Sequence, residues 1–225
     1  MNPNGWLLDG HVARLNLPGL SLAFDANRPA DGLTTFAVLD RPWPGGRLMG
    51  VTGSIQFSAT EALTDWHVRG DDLFAVYETG QPDAARLDLH WRAVRPAAED
   101  QWLCYVDLLV SVRTDRLDWQ YEVRLDSVLP EVTVMEDFDS SANVFAAQGW
   151  SLAVVVHPVD LGHHELIAAP AASHLRHQLF RTRFLEKGVL LRARARAWFL
   201  PSGVDRAAVA TSLAAFTAGD PPLGI

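Results

Sequence analysis

The chain has 225 residues and a formal net charge of −8, with 48% hydrophobic and 20% charged residues. This composition is typical of a globular protein and argues against intrinsic disorder. The excess of carboxylates argues against general nucleic-acid binding, which needs a surplus of Lys and Arg. No run reaches the roughly 18 apolar residues of a membrane span, and no basic stretch precedes an apolar one as in a signal peptide, so we expect a cytoplasmic protein.

Short runs of alternating apolar and polar residues predict β-strands through the first part of the chain. The predicted strands of this part are 12–17, 20–24, 34–39, 48–58 and 73–77. Pro18-Gly19 predicts a hairpin between the first two. The loop at 41–47 (RPWPGGR) carries Trp43, for which two interpretations are open. Its indole is either a stacking platform for a sugar or a partner, or a cap folded back onto the sheet.

The clearest period-two patterns lie in the middle of the chain, at 87–93 and 117–125. Each predicts a strand with one buried and one solvated face. Between them, most residues of 102–113 are apolar at both odd and even positions, which predicts a central strand covered on both faces. The single Cys104 within it is expected to be a buried, unreactive thiol. Further strands are expected at 131–135 and 150–156. An acidic loop is expected at 136–143 and a long connection at 160–173.

The segment 177–200 alternates on both sides of a Glu-Lys-Gly-Val sequence and predicts a β-hairpin with Lys187 and Gly188 in its turn. After it, 202–218 predicts an α-helix, with Ser202 as N-cap and an apolar stripe at Val209, Leu213 and Phe216. The hairpin would place six side chains on one face. They are Arg181, Arg183, Arg192, Arg194, Arg196 and Trp198.

This predicted arginine face admits two interpretations. In the first, the guanidinium groups and Trp198 bind an anionic ligand such as an acidic sugar, a phosphate or a carboxylate. In the second, a neighbouring strand carrying Asp118, Glu122 and Asp126 interleaves with them as an ion-pair ladder, because like charges directly opposite are destabilising. The count of 27 carboxylates against 19 Lys and Arg favours the ladder.

A cluster of histidines and one glutamate lies at 163–177, up to the first residue of the segment 177–200. Its members are His163, His164, Glu165, His174 and His177. If His174 and His177 occupied one helical turn, they could bind zinc with Glu165, although no established ligand spacing is present. A His and a carboxylate of this group could instead act as general acid and base on a sugar. Scattered surface and loop histidines are the third interpretation.

The pattern as a whole predicts a mainly β protein, a single domain over 1–225 with a C-terminal helix at about 202–218. The expected architecture is a large antiparallel β-sandwich, with supersandwich or barrel-like variants. We expect no metal, no cofactor, no nucleic-acid partner and no membrane insertion. A homodimer through an exposed sheet edge is compatible with this architecture.

Two functional hypotheses follow. The first is a non-catalytic module that binds a carbohydrate or a small anion through Trp43, Trp198 and the arginine face. The second, by analogy of fold, is a mutarotase- or epimerase-like enzyme that uses His and carboxylate side chains on a concave sheet. An enzyme should bring a His and a carboxylate together in one cleft, whereas a module should show aligned aromatic faces on an open groove.

Overall fold

The computed structural model describes residues 5–53, 62–79, 85–95, 104–139, 142–181, 184–203 and 206–219, with only the backbone at 136–139 and 206. These ranges contain 19 β-strands and the helix α1 (Arg206–Ala218). The first ten strands are β1 (Gly5–Asp9), β2 (Val12–Leu17), β3 (Leu20–Asp25), β4 (Leu33–Val38), β5 (Arg41–Trp43), β6 (Arg47–Gly53), β7 (Leu63–Arg69), β8 (Asp72–Glu78), β9 (Ala85–Val94) and β10 (Cys104–Thr114). The other nine are β11 (Trp119–Gln120), β12 (Val123–Pro130), β13 (Thr133–Asp139), β14 (Ala142–Ala147), β15 (Trp150–Val156), β16 (Leu161–Ile167), β17 (Ala172–Leu179), β18 (Phe184–Leu185) and β19 (Leu190–Pro201).

Within the described ranges, two large antiparallel sheets carry the fold. The nine-stranded sheet has the order β1-β2-β3-β4-β6-β12-β17-β16, with β5 paired to β4, and the eight-stranded sheet has the order β13-β14-β15-β19-β10-β9-β8-β7. Buried side chains of both sheets form one hydrophobic core, to which Phe24 and Leu125 contribute from the first sheet and Trp91 and Phe199 from the second. The predicted antiparallel β-sandwich is confirmed.

The two faces of the eight-stranded sheet differ because its strands alternate. In β9 and β19 the small and apolar side chains, such as Leu89 and Ala195, are buried on the inner face. The polar side chains point to the outer face, part of which is covered by α1. Val209 and Phe216 of the helix are buried there against Val155 and Trp198. The predicted C-terminal helix and its packing stripe are therefore confirmed, with the helix starting four residues later than expected.

The hairpin predicted for 177–200 is wrong. β17 lies in the nine-stranded sheet between β12 and β16, whereas β19 lies in the eight-stranded sheet between β15 and β10. The chain turns away after β17 at Phe180, whose φ is 63°. A β-turn does form around Lys187 and Gly188, where Val189 N donates to Glu186 O at 3.1 Å. The strands that flank it pair elsewhere, because alternation assigns side chains to a face but does not choose the partner strand.

Three predicted irregular segments contain strands. The loop expected at 41–47 contains β5, which pairs with β4. The expected connection at 160–173 contains β16, which forms an edge of the nine-stranded sheet, and the start of β17. The expected acidic loop at 136–143 contains the end of β13 and the start of β14, which pair with each other. Backbone pairing with a neighbouring strand outweighs the low β-propensity of Asp, Gly and His in these segments.

Gly50 permits the close approach of the 3₁₀ turn at Pro29–Asp31 to β6, and this contact gives a first prediction. A Cβ at position 50 would lie 2.1 Å from Ala30 O and 3.3 Å from Asp126 O. We expect Gly50→Ala to destabilise the fold by about 1–3 kcal/mol, the range for overpacking. Gly188→Ala is the control, because its Cβ would contact nothing and only its φ of 80° opposes the substitution, by about 1–2 kcal/mol. Urea denaturation measures both, and a Gly50→Ala variant as stable as the wild type would contradict the expectation.

Candidate functional site

A row of alternating charges crosses the outer face of the eight-stranded sheet. Its members, which we call the charge row, are Arg69, Asp72, Arg92, Asp107 and Arg196. They come from β7, β8, β9, β10 and β19, and each is the direct register partner of the next. Opposite charges on directly facing residues stabilise a sheet, and this row places each carboxylate between two guanidinium groups.

Asp72 is the most heavily hydrogen-bonded carboxylate of the row. Arg92 donates to its two oxygens from Nε and Nη2 at 2.6 and 3.1 Å, and Nε2 of His90 lies 2.8 Å from Oδ1. Burial alone would raise the pKa of Asp72, but the hydrogen bonds and positive charges of Arg92 and His90 outweigh it and lower that pKa below its usual value. Asp72 is therefore a stable anion that holds the imidazole of His90 in place.

Arg196 and Asp107 form a second ion pair that is joined by two hydrogen bonds. Nε and Nη2 of Arg196 donate to the two carboxylate oxygens at 2.5 and 2.8 Å. The guanidinium also lies over the ring of Tyr105, 3.9 Å from its centroid, and 4.8 Å from that of Phe216 in α1. These contacts connect the sheet to the helix through one cation between two aromatic rings.

The charge row and the helix enclose a cavity of about 350 Å³, which we call the sheet–helix cleft. The sheet contributes His90, Arg92, Tyr105, Asp107, Arg194 and Arg196, and the helix contributes Phe216 and its C-terminal end. Arg194 is positioned by the carbonyl oxygen of Gly219 at 2.6 Å and by Asp160 at 3.6 Å. The cleft thus combines an imidazole, a carboxylate, three guanidinium groups and two aromatic rings.

Removing Asp107 should destabilise the protein. Asp107→Ala would leave Arg196 beneath the helix without its counter-charge, and both side chains are about one fifth exposed (18% and 22%). Breaking a buried pair in this way costs about 3–5 kcal/mol, and the partial exposure places our expectation at the lower end. Glu78→Ala, which breaks the more exposed pair with Arg86, should cost at most about 1 kcal/mol. Equal losses in chemical denaturation would contradict this account.

The predicted arginine face is only partly present. Arg192, Arg194, Arg196 and Trp198 lie on one face of β19. Arg181 lies beyond the end of β17, where it donates to the carbonyl oxygens of Pro158 and Leu161. Arg183 lies outside the described residues. That any of these residues binds a ligand stays a prediction.

The ion-pair ladder favoured for this face exists, but with different carboxylates. Arg196 pairs with Asp107 and Arg194 with Asp160. Asp126, one of the carboxylates expected to form the ladder, pairs instead with Arg176 in the nine-stranded sheet at 2.8 Å. The error follows from the strand order, because β19 lies between β10 and β15, whereas β12, which carries Asp126, lies in the other sheet.

Trp43 caps the sheet instead of forming an open platform. Its indole is buried between Phe36 and Trp150, with ring centroids at 5.2 and 5.0 Å, and Nε1 donates to Pro130 O at 2.8 Å. Trp198 is buried too, 6.0 Å from Phe216 of the helix. Neither indole presents a face to an open groove.

The predicted histidine cluster lies on β16 and β17, and the expected helical turn at His174 and His177 is wrong. His174 is exposed and His177 is fully buried on the opposite face of β17. His164 faces His177 across the strand pair, with ring centroids at 6.1 Å, while His163 and Glu165 are exposed. The described residues contain no group of three or more His, Cys, Asp and Glu arranged to hold a metal ion.

His177 is an isolated polar group in the core. Its exposure is 0%, and neither ring nitrogen has a hydrogen-bond partner in the described structure. Burial, assisted by the charge of His164 and opposed by that of Asp126, lowers the pKa of His177 to about 3. The ring is therefore neutral at physiological pH and inaccessible to a substrate. Burial likewise raises the pKa of the Cys104 thiol to about 12, in line with the expected inert thiol.

Sequence reasoning singled out Arg194 and Arg196, which line the cleft, but missed His90, Arg92 and Asp107. His90 and Arg92 were recognised only as the solvated face of an alternating strand. Asp107 carried a clearer signal, because it is the single charged residue between 102 and 112, in a run that is otherwise almost entirely apolar. A charge in a central strand requires a partner, and that requirement points to Arg92 and Arg196 on the two flanking strands.

No family model matches the chain, and no curated protein sequence matches it. Among the described helices, none is long and apolar enough to span a bilayer. The solved structures that share the fold include the following two. One is a candidate aldose 1-epimerase from Escherichia coli K12, with 10% identity, a TM-score of 0.54, and coverage of 84% of this chain and 98% of that one. The other is a candidate kojibiose phosphorylase from the human microbiome, with 8% identity and a TM-score of 0.51, where the match covers 96% of this chain and 33% of that one. The chain therefore shares the antiparallel β-sandwich fold of these two structures.

Proposed function

We propose that the chain is a sugar-acting enzyme that holds a small aldose in the sheet–helix cleft and interconverts its anomers by general acid and base catalysis. The observation that carries the proposal is the presence of His90 and Asp107 in one cleft, with the imidazole held by Asp72 at 2.8 Å. This is the arrangement expected of an enzyme and not of an open aromatic groove. The fold shared with a candidate aldose 1-epimerase supports it by analogy.

The groups of the cleft match the chemistry of a sugar. Guanidinium groups donate hydrogen bonds to sugar hydroxyls, and carboxylates accept hydrogen bonds from them. Tyr105 and Phe216, which line the cleft on either side of Arg196, add apolar ring surface beside these polar groups. A cavity of about 350 Å³ lies within the range of small-molecule sites. The charged side chains are already fixed by their pairs, so little reorganisation is needed on binding.

Anomer exchange needs two proton transfers that balance each other. One group removes the proton of the O1 hydroxyl while another delivers a proton to the ring oxygen, so that the C1–O5 bond breaks and a C1 carbonyl forms. Rotation about the C1–C2 bond then turns the carbonyl over. The reverse proton transfers re-form the C1–O5 bond and give the other anomer. His90 and Asp107 are diagonal neighbours on β9 and β10, a relation that separates residues by about 7–8 Å. The two could therefore reach different oxygens of one ring, with His90 as one partner and Asp107 as the other.

A non-catalytic sugar-binding module is the second candidate. It is favoured by the arginines that donate to both oxygens of Asp72 and of Asp107. Such pairs hold the charged groups in fixed positions, which a binding site needs even where no proton is exchanged. The burial of Trp43 and Trp198 speaks against the aromatic form of this module that the sequence suggested.

Exchange NMR on the anomeric protons of D-glucose and D-galactose tests the proposal. An enzyme should raise the rate of anomer exchange above the rate without protein, in proportion to protein concentration. A binding module should broaden or shift the sugar signals without faster exchange. The absence of both effects for every aldose tested would overturn the proposed function.

A further inference from the structure

One carboxylate oxygen on the outer face of the eight-stranded sheet accepts two hydrogen bonds. Oδ1 of Asp72 lies 2.6 Å from Nε of Arg92 and 2.8 Å from Nε2 of His90, and Oδ2 lies 3.1 Å from Nη2 of Arg92. Strand register produces this arrangement, because Asp72 of β8 directly faces Arg92 of β9, and His90 lies two residues away on the same side of β9. We call these three residues the Arg–Asp–His triplet.

We infer that Asp72 and Arg92 are positioning residues that keep a proton on Nε2 of His90, so that Nδ1 is the ring nitrogen that exchanges a proton with a substrate. The assignment of the Nε2 proton rests on the geometry of the triplet alone. The part of Nδ1 in catalysis rests also on the proposed function.

The triplet fixes where the imidazole carries its hydrogen. Arg92 can only donate, and an ionised carboxylate can only accept. Burial raises the pKa of Asp72, but the hydrogen bonds and charges of Arg92 and His90 lower it by more, so this carboxylate is ionised at neutral pH. The contact of 2.8 Å to Oδ1 therefore needs a hydrogen on Nε2.

The same distribution holds in both charge states of the ring. A neutral imidazole has one N–H group, so a hydrogen on Nε2 makes Nδ1 an acceptor, whereas an imidazolium has a hydrogen on both nitrogens. Nε2 keeps its hydrogen in either state, and the proton that arrives or leaves is the one on Nδ1. A carboxylate that holds the far nitrogen of a catalytic imidazole in this way sets its tautomer and its orientation.

The ring of His90 is held on its face as well as at Nε2. It stacks on Phe74 of β8, with centroids 4.4 Å apart and an interplanar angle of 20°, which opposes rotation of the ring. In the described part of the chain Nδ1 has no hydrogen-bond partner, and it is not one of the fully buried polar atoms that lack a partner. Nδ1 is therefore accessible at the edge of the cleft that His90 lines.

Asp72 is the carboxylate that holds His90, because the other charged groups around the ring have partners of their own. They lie on the strand of His90 and on the two strands beyond it, β10 and β19. The pairs are Asp88 with Arg86, Asp107 with Arg196, and Arg194 with Asp160.

His67 contacts its carboxylate through the other ring nitrogen. It also stacks on Phe74, with centroids at 4.9 Å, but its Nδ1 lies 3.2 Å from Oδ1 of Asp65. The side chains of this pair are 48% and 56% exposed, against 15% and 19% for His90 and Asp72. We therefore expect a hydrogen on Nδ1 in the neutral ring of His67, and a hydrogen protected from water only in His90.

Nitrogen-15 NMR of the intact chain tests the inference, because long-range proton–nitrogen spectra distinguish a ring nitrogen that carries hydrogen from one that does not. Spectra are recorded from about pH 5 to pH 8, where imidazole changes its charge. His90→Gln identifies the signals of His90. Asp72→Ala removes the acceptor, and Asp65→Ala is the matched control. The wild-type spectra need no substitution, so a loss of folding in Asp72→Ala leaves the test intact.

We expect Nε2 of His90 to carry hydrogen at every pH and only Nδ1 to change its type. The Nε2–H proton should give a signal protected from exchange with water that Asp72→Ala abolishes and Asp65→Ala retains. In the anomer-exchange assay, Asp72→Ala should lower kcat at least about 10-fold while KM stays within about 3-fold, since the lost contact orients a catalytic group without touching the sugar.

The two readouts separate the inference from the proposed function. A wild-type spectrum in which Nε2 of His90 loses its hydrogen, or in which Nδ1 keeps one at every pH, would overturn the inference even if anomer exchange is catalysed. A protonated Nε2 in a protein that exchanges no anomers would support the triplet geometry and overturn the proposed function.

Discussion

Replacing His90 by glutamine should slow anomer exchange by about 10²- to 10⁴-fold, the usual contribution of a general acid or base. Glutamine retains a side-chain amide that can donate to Asp72, so the sheet and the cleft should keep their shape. It cannot exchange a proton near neutral pH. Circular dichroism and urea denaturation would show an intact fold, and exchange NMR at saturating sugar would report the rate.

His67→Gln is the matched control for this experiment. His67 and His90 stack on Phe74, with ring centroids at 4.9 and 4.4 Å, so both belong to one row of rings on the outer face. His67 is an exposed residue of β7 that contacts Asp65 at 3.2 Å and does not line the sheet–helix cleft. Its loss should leave the rate within about 2-fold of wild type, the scatter expected of a side chain outside the site. Equal rates in both variants would remove His90 from the mechanism.

Replacing His177 by leucine should make the protein markedly more resistant to acid. The pKa of this imidazole is lowered to about 3 in the folded chain, from 6.5 in the unfolded chain. Between these values the unfolded chain binds a proton that the folded chain does not, so the free energy of unfolding falls as pH falls below 6.5. The slope is about 1.4 kcal/mol per pH unit, which gives a loss of about 2 kcal/mol at pH 5 that His177→Leu should not share.

The comparison isolates His177 because other groups titrate equally in both proteins. At pH 7.5 the variant should be at least as stable as the wild type, since leucine removes two buried nitrogens without partners and packs beside Leu175 and Leu179 on the inner face. His174→Gln, on the exposed face of the same strand, should follow the wild-type curve. Parallel pH profiles for the wild type and His177→Leu in urea denaturation would contradict the burial account.

The sequence predicted correctly which side chains of a strand are buried, but it did not predict which strands pair with each other. Alternation in 87–93 and in 190–200 correctly assigned Trp91, Ala195 and Arg196 to their sides, because burial of one face imposes a period of two on any strand. It could not show that β19 inserts between β10 and β15, since pairing depends on the long-range path of the chain. The edge strand β16 and the start of β17 were missed for a related reason. Their polar, Gly- and His-containing sequence resembles a connection when the neighbouring strand is unknown.

The candidate site was harder to predict because it is assembled from three strands and the C-terminal helix. His90, Asp107 and Arg196 are separated by 17 and 89 residues along the chain, and only register brings them together. The histidine cluster at 163–177 looked more promising because its members are close in sequence. The structure divides them between an exposed edge and the interior, which leaves His177 without access to solvent.

A crystal structure of the protein with a bound aldose tests the central claim most directly. We expect the pyranose ring in the sheet–helix cleft, against Phe216 and Tyr105, with different oxygens of the sugar within hydrogen-bond distance of His90 and Asp107. A ring bound instead on the exposed side of β16 and β17, near His163 and His174, with no sugar in the cleft, would contradict the account.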